Sequence, residues 1–226
     1  MAKENDGTEV RYDAVIYDLD GTLLNTLDDL TDSVNHILGE YGAPGCAPEQ
    51  VRAALGNGAR VLLTTLAPKE LQGERFEQML AEYGDWYNAH CRIKTRPYPG
   101  VEELTKTLKE KGVKQAIVSN KGDTAVKELA QLYFADVLEA AVGERPGIRR
   151  KPEPDSVLEA MRQLGVSPER TLYVGDSEVD HMTARRAGLP VALVSWGFRD
   201  RDKLEMLKPE FLADGAGELL DWICRG

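Results

Sequence analysis

The stretch that decides the fold is DAVIYDLDGTL, residues 13–23, in which a short apolar segment runs directly into acidic and glycine-containing residues. Residues 13–17 have the apolar, partly β-branched pattern that is typical of a buried parallel strand. Similar segments follow at residues 115–119 (QAIVS), 171–175 (TLYVG) and 190–195 (PVALVS). Each of these segments ends in small or polar residues. The sequence therefore predicts a strand at each of the four places.

Segments with helical periodicity separate these predicted strands. They span residues 100–111, 123–132, 154–164 and 178–187, so that strands and helices alternate along the chain. This alternation predicts an α/β fold with a doubly wound parallel sheet. Ligands of such sheets bind just beyond the carboxyl ends of the strands. The residues that directly follow each strand are therefore the candidates for chemistry.

A long interval, residues 26–96, interrupts this alternation. Residues 27–41 and 76–91 have apolar positions at helical spacing, whereas residues 42–48 and 56–58 contain turn formers. We interpret residues 26–96 as an inserted all-helical cap subdomain. Residues 1–25 and 97–226 then form the core domain.

Length and composition exclude several classes of protein. The chain has 226 residues, of which 42% are hydrophobic and 29% charged, as expected for a globular protein. Its net charge of −10 argues against nucleic-acid binding, which depends on Lys and Arg neutralising phosphates. No apolar run approaches the roughly 20 residues that span a bilayer. Residues 1–13 are polar and acidic, unlike a signal peptide, and we expect a cytoplasmic protein.

Polar residues near the predicted strand ends are suited to phosphoryl transfer. Asp18 and Asp20 are separated by one residue, so that one can attack an electrophile while the other transfers protons. Further candidates are Ser119 with Asn120, Lys151 in the rigid sequence KPEP, and Asp176 with Asp180 one helical turn apart. Taken singly, each of these features is more simply explained as a turn, a solvated lysine or a helix cap. Their coincidence favours a phosphate site.

Several aspartates at one edge of a sheet also suggest a metal ion. Magnesium is preferred, because it binds through a few carboxylates together with water and phosphate oxygens. The cation and Lys151 would offset the repulsion between the carboxylates and a phosphate dianion. We therefore expect Mg²⁺ as the cofactor and a small phosphorylated metabolite as the substrate.

These motifs, in this order, resemble those of haloacid dehalogenase superfamily phosphatases with a helical C1-type cap. The matching stretches are residues 18–23 (DLDGTL), 119–120 (SN), 151–152 (KP) and 175–180 (GDSEVD). The resemblance covers essentially the whole chain after the N-terminal tail. It implies a Rossmann-like, three-layer core with a cap inserted after the first motif.

The resemblance also implies a role for each motif residue. Asp18 is expected to attack phosphorus and form an aspartyl phosphate, and Asp20 to act as general acid and then general base. The phosphoryl group is expected to be held by Ser119, Asn120 and Lys151, next to Gly21 and Thr22. The implied magnesium ligands are Asp18, the backbone carbonyl of Asp20, Asp176 and, directly or through water, Asp180.

Substrate identity is less strongly indicated. Residues 55–63 (LGNGARVLL) resemble a cap segment of phosphoglycolate phosphatases, and in this interpretation Arg60 binds a substrate carboxylate. The alternative is that Arg60 is a solvated residue at a helix start. Phosphatases of sugar phosphates or pyrophosphate and β-phosphoglucomutases share the core motifs, and a phospho-accepting receiver module is the alternative of a different class. The oligomeric state is expected to be a monomer or a homodimer, without membrane or nucleic-acid partners.

Overall fold

A six-stranded sheet forms the centre of the structure, a computed structural model that describes residues 10–71 and 73–225. In chain order the strands are β1 (Ala14–Tyr17), β4 (Lys114–Gly122), β5 (Ala140–Glu144), β6 (Thr171–Gly175), β7 (Val191–Val194) and β8 (Phe211–Ala213). Their order across the sheet is β5-β4-β1-β6-β7-β8, and every neighbouring pair is parallel. Strands β2 (Leu24–Asn25) and β3 (Arg96–Pro97) pair separately as an antiparallel ribbon.

Helices occupy both faces of this sheet and the interval between β2 and β3. The core helices are α5 (Val101–Glu110), α6 (Asp123–Phe134), α7 (Asp155–Leu164), α8 (Glu178–Ala187), α9 (Arg201–Glu205) and α10 (Ala216–Cys224). Between β2 and β3 lie α1 (Leu27–Glu40), α2 (Pro48–Ala54), α3 (Gly58–Leu66) and α4 (Glu74–His90). We call these four helices the cap. Short 3₁₀ turns occur at Lys69–Leu71 and Pro168–Arg170.

The central strand β1 shows why the fold has three layers. Its four residues are completely buried. Because side chains alternate along a strand, Val15 and Tyr17 pack on the face that carries α5, α6 and α10. Ala14 and Ile16 pack on the opposite face, which carries α7 and α8. Both faces must therefore be covered by helices, which confirms the predicted α/β architecture.

The four predicted strands and the core helices occur close to their predicted positions. Two strands, β5 and β8, were not predicted, and both are edge strands of the sheet. Residues 1–9, which include most of the predicted polar N-terminal segment, lie outside the described residues. No helix within the described parts of the chain is long and apolar enough to cross a membrane.

The cap is connected to the core through the β2–β3 ribbon. Asn25 pairs with Arg96 and Leu24 with Pro97, so the two chain crossings lie side by side. The predicted domain junctions, after residues 25 and 96, lie at this ribbon. Asp29, which is 2% exposed, accepts hydrogen bonds at 2.8–3.0 Å from the Lys94 N–H and from the N–H and hydroxyl of Thr95. This buried carboxylate ties the start of α1 to the returning chain.

Candidate active site

A cavity of about 250 Å³ lies between the carboxyl ends of the central strands and the cap. Asp18 and Asp20, which follow β1, line it from below, together with Ser119 and Asn120 at the end of β4. The cap contributes mainly apolar and aromatic side chains, among them Leu30, Leu55, Leu62, Tyr83 and Tyr87. The cavity is therefore polar on its core side and largely apolar on its cap side.

Three aspartates from two strand ends converge beside one lysine. Asp18, Asp176 and Asp180 are all buried, and each offers a carboxylate oxygen within 4.8 Å of the other two. The ammonium of Lys151 lies 2.9 Å from Asp18 Oδ1 and 2.8 Å from Asp180 Oδ1. Tyr173 and Ser177 also donate hydrogen bonds to Asp180, at 2.9 and 2.5 Å. Asp180 thus holds Lys151 beside Asp18.

Burial and mutual repulsion shift the acidity of this cluster. Burial raises the pKa of Asp18 well above its ordinary value, and the charge of Asp180 raises it further, although Lys151 opposes both effects. Burial and Asp180 likewise raise the pKa of Asp176 to about 7. Burial would also raise the pKa of Asp180, but Lys151 and the hydrogen bonds of Ser177 and Tyr173 outweigh it and lower this pKa. A single ammonium therefore leaves the cluster short of positive charge.

The donor set fits a hard divalent cation such as Mg²⁺. All side-chain donors of the triad are carboxylate oxygens, which magnesium prefers, and the raised pKa values of two of them show where a cation would relieve repulsion. Asp18, Asp176 and Asp180 are therefore the side chains able to hold it. The carboxylate of Asp20 lies elsewhere, so its contribution to a metal site would come from its backbone carbonyl, as the resemblance implies.

The Asp20 carboxylate points towards the cap hinge. Its Oδ1 accepts a 2.6 Å hydrogen bond from Thr26, directly before α1, and lies 2.9 Å from the Lys121 ammonium. Ser119 Oγ lies 3.5 Å from its second oxygen. Asp20 is therefore separate from the acidic triad, as expected for a residue that transfers protons rather than binding metal through its side chain.

Gly21 and Thr22 shape the site around Asp176. Gly21 has a φ of +85°, and a Cβ atom there would lie 2.4 Å from Asp176 Oδ2. Only glycine permits both this conformation and this approach. The Thr22 hydroxyl lies 3.3 Å from Asp176 Oδ1 and donates a hydrogen bond to it. Both residues therefore position Asp176.

Asn120 uses its side-chain amide to connect three segments of backbone. Its Nδ2 donates to the carbonyl of Gly56 in the cap at 2.9 Å and to that of Lys151 at 3.0 Å. Its Oδ1 accepts a 2.7 Å hydrogen bond from the Lys151 N–H. The amide thereby binds the loop before α3 to the core and fixes the backbone of the lysine beside Asp18. The expectation that this side chain also contacts a phosphoryl oxygen stays a prediction.

This arrangement predicts a measurable stability effect for Asn120→Ala. The change leaves three buried backbone groups without their partner, and we expect the free energy of unfolding to fall by about 1–3 kcal/mol without any ligand. Urea denaturation of the ligand-free protein measures this loss. The matched control is Ser119→Ala, because the Ser119 hydroxyl has only longer contacts of 3.2 and 3.5 Å. Equal stability of the parent and Asn120→Ala would show that Asn120 does not support the ligand-free structure.

The structure places Arg60 outside the cavity. Its guanidinium makes two hydrogen bonds to Glu77 of α4, at 2.6 and 2.7 Å, and its side chain is 46% exposed. Arg60 is not among the described residues that line the cavity. The cap loop is held to the core by another arginine, Arg199, which donates to the carbonyl of Leu55 at 2.9 Å.

Lys121, Tyr87 and Arg199 line the cavity, and sequence reasoning did not identify any of them. One signal was present for Lys121, since it directly follows Ser119 and Asn120 at the end of an apolar strand. Tyr87 lies on a cap helix whose apolar residues pack in the core of the protein, and its sequence alone does not distinguish a core residue from a cavity residue. Arg199 follows β7 by a few residues and had no distinguishing pattern.

Comparison with known proteins agrees with this geometry. A family model described as haloacid dehalogenase-like hydrolase matches residues 15–194. The chain is 32% identical over 212 residues to phosphoglycolate phosphatase 1 of Pseudomonas aeruginosa, covering 91% of this chain and 78% of that protein. It is 30% identical over 218 residues to N-acetylmuramic acid 6-phosphate phosphatase of the same organism, covering 96% of both.

The fold is also found among solved structures. A crystal structure of a candidate phosphoglycolate phosphatase from Lactobacillus delbrueckii subsp. bulgaricus superimposes with a TM-score of 0.87 and is 34% identical in sequence. The match covers 94% of this chain and 98% of that one. Core and cap are therefore both included in the similarity.

Proposed function

Because this chain belongs to the haloacid dehalogenase-like hydrolase family, we propose that it is a magnesium-dependent phosphatase that hydrolyses small phosphomonoesters through an aspartyl phosphate on Asp18. One observation carries the proposal. Asp18 lies buried at the end of β1, 2.9 Å from Lys151 and within the acidic triad, at the polar side of a substrate-sized cavity.

In the first step, a carboxylate oxygen of Asp18 forms a bond to phosphorus while the ester oxygen departs. Asp20 donates a proton to that oxygen, which leaves as an alcohol. In the second step, Asp20 accepts a proton from water as the water oxygen attacks phosphorus. The bond between Asp18 and phosphorus then breaks, so inorganic phosphate and the original carboxylate are released.

Lys151 and the metal site divide the work of charge stabilisation. The ammonium of Lys151 is fixed by Asp180 and by the backbone contacts of Asn120, so it is pre-organised to stabilise charge on the phosphoryl oxygens. The magnesium ligands would be Asp18, Asp176 and the backbone carbonyl of Asp20, with Asp180 direct or water-mediated. When bound, Mg²⁺ supplies positive charge that offsets the repulsion between these carboxylates and the substrate.

Phosphoglycolate is the substrate that we propose first. Several relatives bear the name phosphoglycolate phosphatase, including one that is 34% identical over 190 residues. A cavity of about 250 Å³ beneath the cap accommodates a small ester. N-acetylmuramic acid 6-phosphate, which the name of another relative specifies, is the second candidate. Sugar phosphates, pyrophosphate and a mutase reaction remain the alternatives that share the core motifs.

A phosphate-release screen tests this proposal. With Mg²⁺ present, we expect multiple turnovers and the highest kcat/KM on phosphoglycolate, compared with N-acetylmuramic acid 6-phosphate, glucose phosphates, pyrophosphate and an aryl phosphate. A receiver module would instead retain a single phosphoryl group. Absence of phosphate release from every ester would contradict the phosphatase assignment, whereas a higher kcat/KM on another ester would replace only the substrate.

A further inference from the structure

We propose that Lys121 selects substrates that carry a carboxylate on the carbon next to the scissile ester oxygen. This inference rests on the proposed phosphatase function and gives its substrate class a physical basis. Lys121 lies in β4, directly after Ser119 and Asn120. Its side chain is only 6% exposed and reaches the boundary between core and cap.

The position of the Lys121 ammonium is defined by two partners. Its Nζ lies 2.9 Å from Asp20 Oδ1 and donates a 2.6 Å hydrogen bond to the hydroxyl of Tyr87 on α4. An ammonium has three N–H donors, and these two contacts account for two of them. The ammonium therefore lies at the wall of the cavity, on the cap side of the proton-transfer residue.

This position matches the shape of a short acidic ester. To protonate the leaving group, Asp20 must come within hydrogen-bond distance of the ester oxygen. In phosphoglycolate, a single carbon separates that oxygen from the carboxylate. A cation one hydrogen bond beyond Asp20 is therefore within reach of the substrate carboxylate. In N-acetylmuramic acid 6-phosphate, by contrast, the carboxylate is separated from the ester oxygen by the sugar ring.

The charges around the cavity support the same residue. Asp18, Asp20, Asp176 and Glu144 all line it, so a second anionic group on the substrate is repelled unless a cation faces it. Among the described residues that line the cavity, the cations are Lys121, Lys151 and Arg199. Lys151 is held by Asp18 and Asp180, next to the site of phosphoryl transfer. Arg199 is held by Glu178 and the carbonyl of Leu55. Lys121 is the cation beside the leaving group.

The test compares two substrates that differ only in the proposed contact. Phosphoglycolate and hydroxyethyl phosphate share their carbon skeleton, but a neutral hydroxymethyl group replaces the carboxylate in the second. For the parent, we expect a higher kcat/KM on phosphoglycolate. Lys121→Met should reduce the ratio of the two kcat/KM values by about 10–100-fold, the factor for a lost charge-assisted hydrogen bond. Lys121→Arg, which keeps the charge, should retain part of the preference.

Two matched controls isolate the contact. Arg60→Met removes an exposed cap cation that is paired with Glu77, and Lys106→Met removes an exposed lysine on α5. Neither change should alter the ratio. Should Lys121→Met fail to fold, Lys121→Gln provides the same comparison, because it keeps a donor for Tyr87 but no charge.

The outcomes separate this inference from the function on which it rests. Equal losses on both substrates would show that Lys121 acts only through Asp20, and would overturn the proposed selection. A parent enzyme that prefers hydroxyethyl phosphate would also overturn it, while leaving the phosphatase assignment intact. If the parent releases phosphate from no ester at all, the proposed function itself fails.

Discussion

Asp18→Asn is expected to abolish turnover, with kcat reduced by about 10⁴-fold or more. The amide has nearly the shape of the carboxylate but cannot form the aspartyl phosphate. Phosphate release under saturating substrate and Mg²⁺ measures the loss. Mass spectrometry of the acid-quenched parent, but not of the variant, should detect the phosphorylated protein.

The same change should leave the fold intact. Asp18 loses its ion pair with Lys151, but the repulsion from Asp176 and Asp180 is removed as well, so the free energy of unfolding should change little in metal-free buffer. The matched control is Asp13→Asn at the start of the same segment, where the side chain is 59% exposed and paired with Arg170. This control should retain activity. Phosphate release by Asp18→Asn near the parent rate would assign the nucleophile to another residue.

Removal of divalent metal is expected to reduce activity to the background rate. Chelation leaves the buried carboxylates of Asp18, Asp176 and Asp180 with Lys151 alone to balance them, so the phosphate dianion is repelled. Added Mg²⁺ should restore activity. Ca²⁺ should not restore it and should compete with Mg²⁺, because its larger and looser coordination misplaces the reacting atoms.

Metal binding also has a readout that does not depend on catalysis. Mg²⁺ should stabilise the folded protein by about 2.7 kcal/mol at a free concentration about 100 times its Kd. This stabilisation should be strongly reduced in Asp176→Asn and unchanged in Asp202→Asn, since Asp202 is an exposed residue of α9. Full activity after chelation, or equal stabilisation of both variants, would contradict a metal site at the triad.

The central architecture could be predicted because buried parallel strands constrain their sequences strongly. Strands β1 and β6 are buried on both faces, so nearly every residue must be apolar, and their positions match the prediction within one residue. Strands β5 and β8 escaped prediction because edge strands are less constrained. β5 (AAVGE) has one β-branched residue and β8 (FLA) has none.

The acidic triad could also be anticipated from the sequence. Asp18 and Asp176 each follow a predicted strand, and parallel strands bring their carboxyl ends to one edge of the sheet. Asp180 lies one helical turn after Asp176. These relations depend only on strand direction and helix pitch, which the local pattern already specifies.

The sequence by itself thus determined the sheet, the interrupted alternation and the strand-end aspartates. Only the tertiary structure decided how Asn120 and Lys121 are used. The pairing of β4 with β5 is irregular between Val118 and Gly122, and such an irregularity redirects the side chains of the strand. It lets Asn120 reach Gly56 and Lys121 reach Tyr87, residues of the cap that are distant in sequence. Where these two side chains lie depends on this irregular pairing and on the packing of the cap, and neither is encoded in local periodicity.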